Sequence, residues 1–119
     1  MIQRIEPGAR MSQAVVFQKT IYLAGQVASR DTGPDVYAQT VDALATIDRL
    51  LAVVGSDKTR ILSATIWLTD MDTFADMNRA WDAWVAPGQA PARATVHSAR
   101  LAGPEYRVEI SVTAAQRGA

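Results

Sequence analysis

The sequence predicts an α+β fold in which a mixed β-sheet carries two helices on one face, in the order ββαβαββ. Short apolar runs alternate with two longer segments of helical spacing, and turn-forming residues separate them. The length of 119 residues suits one domain that spans positions 1–119. The hydrophobic fraction of 49% is sufficient for a core.

The first predicted element is a β-hairpin. Two short apolar runs, 14–18 and 21–25, lie on either side of a tight turn predicted around Lys19 and Thr20. The stretch 29–34 is dense in turn formers, so we expect a loop there.

Two helices and a buried strand are predicted in the middle of the chain. Segment 35–54 has helical spacing, and Gly55 fits the position just past its end. Segment 61–68 is rich in β-branched residues and predicts a buried strand. Asp70 or Asp72 is suited to cap the second helix. The apolar stripe of that helix consists of Phe74, Met77, Trp81, Trp84 and Val85, and Pro87 with Gly88 ends it.

The last two predicted strands carry the polar residues of greatest interest. Side chains alternate between faces, so Arg93 shares a face with Thr95 and His97. Apolar residues at 108, 110 and 112 fill the core, which leaves Glu109 on the opposite side. We expect the guanidinium of Arg93 and the carboxylate of Glu109 both to point away from the core. An arginine suits a small carboxylate ligand, because its planar fork offers two parallel N–H donors.

Structural alternatives stay open for these residues. Arg93 is equally suited to an ion pair at a surface or interface, and Glu109 to a solvent-facing strand position. A simple hairpin centred on Gly103 and Pro104 would place Glu109 nearer His97 than Arg93, so strand pairing alone does not bring the arginine and the glutamate together.

The bulk composition excludes several classes of function. Twelve basic residues balance twelve acidic ones, and the pI is near 6.6, whereas nucleic-acid binders usually carry a basic excess. The absence of cysteine excludes disulfides, thiolate metal sites and a cysteine nucleophile. No apolar run reaches the roughly 18 residues of a membrane span, and residues 1–6 do not resemble a signal peptide, so we expect a cytoplasmic protein.

One face of the predicted sheet has no covering element. Two amphipathic helices can cover only one face, and the other still carries apolar and semi-polar residues. A bare sheet face in so small a chain indicates self-association.

Four segments together resemble blocks of the Rid family, also called YjgF or RutC-like, in family order. They are Gly25–Gln26 after an apolar strand, 62–70, 74–84, and the Pro91-Ala92-Arg93 motif followed by the hydrophobic-Glu-hydrophobic strand at Glu109. The segment 79–84 is similar to the YoaB-like branch of that family. The resemblance implies a chorismate-mutase-like fold and a homotrimer with ligand clefts between subunits.

The resemblance also implies roles for individual residues. Arg93 would bind a substrate carboxylate, Glu109 would orient or activate water, and the backbone at Gly25 and Thr95 would hold the imine nitrogen. Asn78 resembles a family asparagine near the cleft, although an ordinary surface amide is an equal alternative. Two departures concern the classical substrate: Met11 falls where the family has a tyrosine, and Ala24 where it has a serine. Thr95 stands where many members have cysteine.

Three functions follow from these residues. The first is hydrolysis of a reactive 2-imino acid to a 2-keto acid and ammonia, with no metal or cofactor, since imines are already electrophilic. The second is binding or sensing of a small keto acid or amino acid without turnover. The third is ribonuclease activity or translation inhibition, an activity label carried by parts of the family. The neutral charge and the single histidine, His97, argue against the third.

Overall fold

A computed structural model describes residues 1–118 and contains a six-stranded mixed sheet with two long helices. The strands are β1 (Gln3–Pro7), β2 (Ser12–Phe17), β3 (Thr20–Leu23), β4 (Ile61–Leu68), β5 (Ala92–His97) and β6 (Val108–Ala115). The helices are α1 (Val36–Val53) and α2 (Phe74–Trp84). The predicted α+β class and the mixed sheet are confirmed.

The strand order is β1-β2-β3-β6-β4-β5, and every neighbouring pair is antiparallel except β4 and β5. β5 therefore forms an edge of the sheet, and β4 separates it from β6. The expectation of a simple hairpin between the last two strands is wrong. The return along 98–107 carries the chain past the end of β4, which pairs with β5 on one side and with β6 on the other.

The sequence also failed to predict β1. Its residues include little apolar content, and all of them but Ile5 are exposed. β1 is an edge strand that pairs only with β2, so it has no periodic pattern, and Pro7 at its end fits the edge position. The chain order is therefore βββαβαββ.

The predicted hairpin is present, with its turn one residue earlier than expected. Phe17 pairs with Thr20, so the turn residues are Gln18 and Lys19. Both have positive φ, 50° and 70°, as two-residue hairpin turns that match the strand twist require.

Both helices lie close to their predicted limits. Asp35 caps α1 by accepting a hydrogen bond from the backbone N–H of Ala38, and Gly55 follows the helix with a φ of 75°. Asp70 caps a short 3₁₀ turn, Met71–Thr73, that leads directly into α2. The cap predicted for the second helix thus acts one turn earlier than expected.

The core lies between the helices and one face of the sheet. Its fully buried side chains come from α1, α2 and alternate strand positions: Ile21, Leu44, Ile47, Leu50, Leu51, Ile66, Leu68, Met77, Val108 and Ile110. The other strand positions form what we call the open face, which includes Tyr22, Thr65, Trp67, Glu109 and Ser111. No element of the described chain covers it, and Tyr22 is 50% exposed. In the described chain, no helix has the length and apolarity needed to cross a membrane.

A buried glutamine ties the 98–107 segment to α1. Gln39 is 2% exposed, and its amide nitrogen donates to the carbonyl oxygens of Gly33 and Glu105 at 2.8 and 2.9 Å. Its amide oxygen accepts from the backbone N–H of Arg107 at 2.9 Å. These three bonds satisfy backbone groups that have no strand or helix partner.

We expect Gln39→Ala to lower the free energy of unfolding by about 1–3 kcal/mol, because three partly buried backbone groups lose their hydrogen-bond partner. Urea unfolding at one fixed protein concentration measures this. Gln89→Ala, at an exposed position, is the matched control and should change stability by less than about 0.5 kcal/mol. Equal effects from the two substitutions would contradict the prediction.

Candidate active site

The strand register places Arg93 on the helix-covered face of the sheet. β5 pairs in parallel with β4, so Arg93 lies beside Ala64 and Thr95 beside Ile66, both of which face the core. The expectation that the guanidinium points away from the core is wrong. It assumed that the side of β5 that carries Val96 faces the core, whereas Val96 is 39% exposed and the Arg93 side of this edge strand contacts helix α2.

Aromatic side chains of α2 accommodate the arginine there. The guanidinium carbon of Arg93 lies 5.2 Å from the ring centre of Trp81 and 5.9 Å from that of Phe74. A guanidinium over an aromatic face is attracted by the ring quadrupole. Within the described chain, Arg93 makes no salt bridge and no side-chain hydrogen bond. Its N–H donors, which point outward in the guanidinium plane, are available to a ligand or to another chain.

Two further predicted site residues lie on the same side as Arg93. Thr95 follows it by two positions on the same face, and its hydroxyl oxygen is buried without a hydrogen-bond partner in the described chain. Asn78 is half-buried on α2, four residues after Phe74 and three before Trp81, so all three share one side of the helix. We call Arg93, Thr95, Phe74, Asn78 and Trp81 the arginine cluster.

Glu109 and Gly25 lie on the opposite side of the sheet. Glu109 pairs with Trp67 on the open face. Its carboxylate packs directly against Gly25, so that a Cβ at position 25 would overlap it. Glycine at position 25 leaves room for the carboxylate, and any larger residue would force the Glu109 side chain to move. We call Glu109 and Gly25 the glutamate pocket.

Backbone pairing next to Gly25 holds the glutamate pocket in place. Gln26 and Ile110 exchange two backbone hydrogen bonds of 2.7 and 3.0 Å. The side-chain amide of Gln26 also donates to the side-chain oxygen of Gln13 on β2, at 2.9 Å. This isolated bridge keeps the chain after β3 beside β6, with Gly25 against Glu109.

Partial burial raises the pKa of Glu109 above its usual value, because the ionised carboxylate loses hydration. A raised pKa favours a group that exchanges protons near neutral pH, as a general base requires. The carboxylate also faces the open side of the sheet, so a bound molecule or a second chain can reach it.

One chain does not bring Arg93 and Glu109 together. They project from opposite faces, and β4 lies between their strands, so the backbones are about 10 Å apart across the sheet. Met11 is 51% exposed at the start of β2, at the end of the sheet where Gly25 lies. The predicted residues therefore divide into two groups. One group contains Arg93, Thr95 and Asn78. The other contains Glu109 and Gly25, with Met11 at the same end of the sheet.

One open cavity of the described chain belongs to neither group. It has a volume of about 500 Å³, lies beneath the 98–107 segment, and is lined in part by Thr69, Arg100, Tyr106 and Arg107. The cavity opens widely to solvent and both arginines are exposed. This cavity thus includes none of the residues predicted to carry chemistry.

The phenyl and indole contacts of Arg93 were not predicted from sequence. The stripe on α2 identified Phe74 and Trp81 as core-facing residues, and nothing in their spacing indicated a cation beside them. Their partner on the sheet depends on which strand pairs with β4.

Comparison with known proteins places the chain in one family. Residues 1–116 match the family model described as Endoribonuclease L-PSP. A RutC family protein of Haemophilus ducreyi is 48% identical over 115 residues, which cover 97% of each chain. The RutC family protein YoaB of Escherichia coli is 47% identical over 114 residues, covering 96% of this chain and 97% of that protein.

A solved structure and more distant relatives extend the comparison. NMB1025 of Neisseria meningitidis, a member of the YjgF protein family, superposes with a TM-score of 0.95 at 49% identity, covering 100% of this chain and 98% of that one. A 2-iminobutanoate/2-iminopropanoate deaminase of Capra hircus is 35% identical over 111 residues, covering 88% of this chain and 79% of that protein.

The fold and these matches define a protein of the YjgF type, with one mixed sheet and two helices. The chain belongs to the RutC (YjgF, or Rid) family, and it is similar to the YoaB proteins within it. The resemblance predicted from the sequence blocks is confirmed.

We expect Glu109→Gln to stabilise the chain near pH 8 and to lose that advantage as the pH falls. Burial raises the pKa of Glu109 in the folded chain, so the ionised acid costs stability above that pKa. Protonation removes the cost, and the two proteins should converge towards about pH 4, near the usual pKa of a glutamate. Urea unfolding at both pH values tests this.

Asp82→Asn serves as the control, since Asp82 is exposed on α2, and its effect should be small at both pH values. A Glu109→Gln protein that is less stable than wild type near pH 8 would show that the carboxylate is held by favourable contacts instead.

Proposed function

We propose that this chain is the subunit of a 2-imino acid deaminase, which hydrolyses a reactive imine to a 2-keto acid and ammonia. The observation that supports this most directly is the pair of chemically distinct groups described above. Arg93 offers unengaged in-plane donors from an aromatic surface, and Glu109 presents a partly desolvated carboxylate against the backbone of Gly25. Distant relatives that bear a deaminase name support the reaction type; the names of the nearer relatives give only the family.

The chemistry requires few groups. Arg93 binds the carboxylate of the imino acid through two parallel N–H donors. Glu109 accepts a proton from a water molecule as the water oxygen bonds to the imine carbon, and it passes that proton to the imine nitrogen as the C=N double bond becomes single. The carbinolamine then collapses: Glu109 relays the hydroxyl proton to the amine nitrogen, the C–N bond breaks, and ammonia leaves as the C=O bond of the keto acid forms. The backbone at Gly25 and Thr95 holds the nitrogen during these steps, and positioning supplies most of the rate increase.

The two groups meet only if subunits associate. Arg93 and Glu109 lie on opposite faces of one sheet, so a ligand that touches both needs them from different copies. The open face supplies a surface for that association. We therefore propose a homotrimer whose sheets pack around a central axis, with Arg93 of one subunit and Glu109 of the next on either side of each cleft. A cytoplasmic location stays a prediction of the sequence.

A non-catalytic binding or sensing protein is the second candidate. Met11 and Ala24, in place of a tyrosine and a serine, remove two hydroxyl groups from the side of the glutamate pocket, which favours binding over turnover. The model name Endoribonuclease L-PSP belongs to the family, and we do not extend that activity to this chain, because its net charge of zero and single histidine do not favour RNA cleavage.

Arg93→Ala should weaken the binding of a small 2-keto acid by about ten- to a hundredfold, because a charge-assisted, bidentate contact is lost. Arg93→Lys should recover only part of the affinity, since a point charge cannot reproduce the fork. Calorimetric titration with pyruvate measures binding, and semicarbazide trapping of imine released by an amino-acid oxidase measures turnover.

The Ala variant should remain assembled and nearly as heat-stable as wild type. Unchanged affinity, or a large loss of stability, would identify Arg93 as an interface residue. Binding that depends on Arg93 without any turnover would favour the sensing alternative.

Mixed assemblies test the shared cleft. Arg93→Ala and Glu109→Gln proteins should each be inactive, and refolding them together in equal amounts should restore about a quarter of wild-type activity if trimers mix at random. Light scattering at micromolar concentration should give the mass of three chains. A monomer mass would exclude the cleft, and mixtures without activity would place both residues in one subunit's site.

A further inference from the structure

Helix α2 contains a feature that the proposed reaction leaves without a role. The segment 79–84 carries Trp81 and Trp84, and only the second of these side chains reaches the helix surface appreciably. Trp81 is 5% exposed, and its ring centre lies 5.2 Å from the guanidinium carbon of Arg93.

The contact determines which part of the arginine a ligand can use. The guanidinium carbon lies over the Trp81 ring at 5.2 Å, so the indole bounds the arginine on one side and limits the directions in which its N–H donors can point. Phe74, at 5.9 Å, is a second aromatic neighbour. The flexible arginine side chain is thereby restricted before any ligand arrives, so less rotamer entropy is lost on binding.

Trp81 is itself fixed from α1. Its ring centre lies 5.3 Å from that of Trp84, with the planes inclined by 53°. The indole N–H of Trp84 donates to a carboxylate oxygen of Asp48 at 2.9 Å, and the ammonium group of Lys58 lies 5.3 Å from the Trp84 ring. A continuous set of contacts therefore runs from α1 through both indoles to Arg93.

We propose that Trp81 is a positioning residue, which holds the guanidinium of Arg93 with its N–H edge presented to the substrate carboxylate. The proposal rests on the proposed function, since it assigns the carboxylate-binding role to Arg93. It gives the tryptophan of the 79–84 segment a role in ligand affinity beyond core packing.

A double-mutant cycle between Trp81 and Arg93 tests the proposal with pyruvate as the probe. Trp81→Leu should weaken binding by about three- to tenfold, the range expected from loss of a partly desolvated cation–π contact. Trp81→Phe should retain most of the affinity. In the Arg93→Ala background Trp81→Leu should cause no further loss, because the group that it positions is absent.

Steady-state kinetics provide a second test, because a purely structural role of Trp81 would not change KM selectively. If Trp81 acts through carboxylate binding, KM should rise in Trp81→Leu by about the same factor as the dissociation constant, with kcat nearly unchanged. Equal losses from Trp81→Leu in the wild-type and Arg93→Ala backgrounds would overturn the proposal.

The double-mutant cycle separates a failure of the positioning role of Trp81 from a failure of the proposed function. If Arg93→Ala weakens binding and Trp81→Leu does not, the positioning role is wrong and the proposed function stands. If Arg93→Ala itself leaves pyruvate binding unchanged, the proposed function fails first.

If Trp81→Leu does not fold, a series of fluorinated tryptophans at position 81 tests the same contact. Site-specific replacement of Trp81 by tryptophans with increasing fluorine content keeps the ring shape and progressively weakens its attraction for a cation. Affinity for pyruvate should fall stepwise along the series. The same replacements at Trp84, whose ring contacts Trp81 and Lys58 but not Arg93, should leave affinity unchanged. A flat series at Trp81 would overturn the proposal.

Discussion

The alternation of side chains along β4 and its two neighbours is the constraint on which the rest of the structure depends. β4 pairs in parallel with β5 and antiparallel with β6, so Arg93 joins the face that Ala64 and Ile66 turn to the core, and Glu109 joins the face of Trp67. A shift of one residue in either register would move the charged group to the opposite face. Between β4 and β6 the buried apolar positions prevent such a shift, because it would turn Ile110 out of the core.

Most of the fold was predictable because periodic burial leaves a periodic pattern. The helix at 35–54 and the strand at 61–68 lie against the core along their whole length, and their limits were close to those predicted. β1 could not be found in this way, since an edge strand with a single partly buried residue, Ile5, has no period to detect. The facing of Arg93 was predicted wrongly for a different reason. The sequence pattern shows which side chains of a strand share a face. Which of the two faces turns to the core depends on packing against elements that are distant in sequence.

In the candidate site too, the sequence identified individual residues but not the contacts between residues that are distant in the chain. The resemblance of short blocks to a family identified Arg93, Glu109 and Gly25 as candidates. It did not reveal that the carboxylate of Glu109 occupies the space that a side chain at Gly25 would take. Nor did the sequence identify Gln39 as the residue that satisfies the backbone of 98–107, because an amide within an amphipathic helix is unremarkable until its partners, 66 and 68 residues away, are known.

The two candidate functions, catalysis and binding without turnover, can both be related to the separation of the candidate residues onto two faces of the sheet. In the proposed function, affinity for a carboxylate would depend on the arginine cluster, where helix α2 provides Trp81 and Phe74. Turnover would depend on the opposite face of the sheet, which carries Glu109. Met11 and Ala24, the two departures from the family pattern, fall at the end of the sheet where Gly25 meets Glu109, and neither is part of the arginine cluster. If the proposed site is correct, these substitutions would affect the water and the imine nitrogen and not the carboxylate contact. Such a chain would bind the same class of ligand even if its rate of imine hydrolysis changed. Affinity for keto acids is therefore compatible with either function. The rate of imine hydrolysis is the property that distinguishes the two.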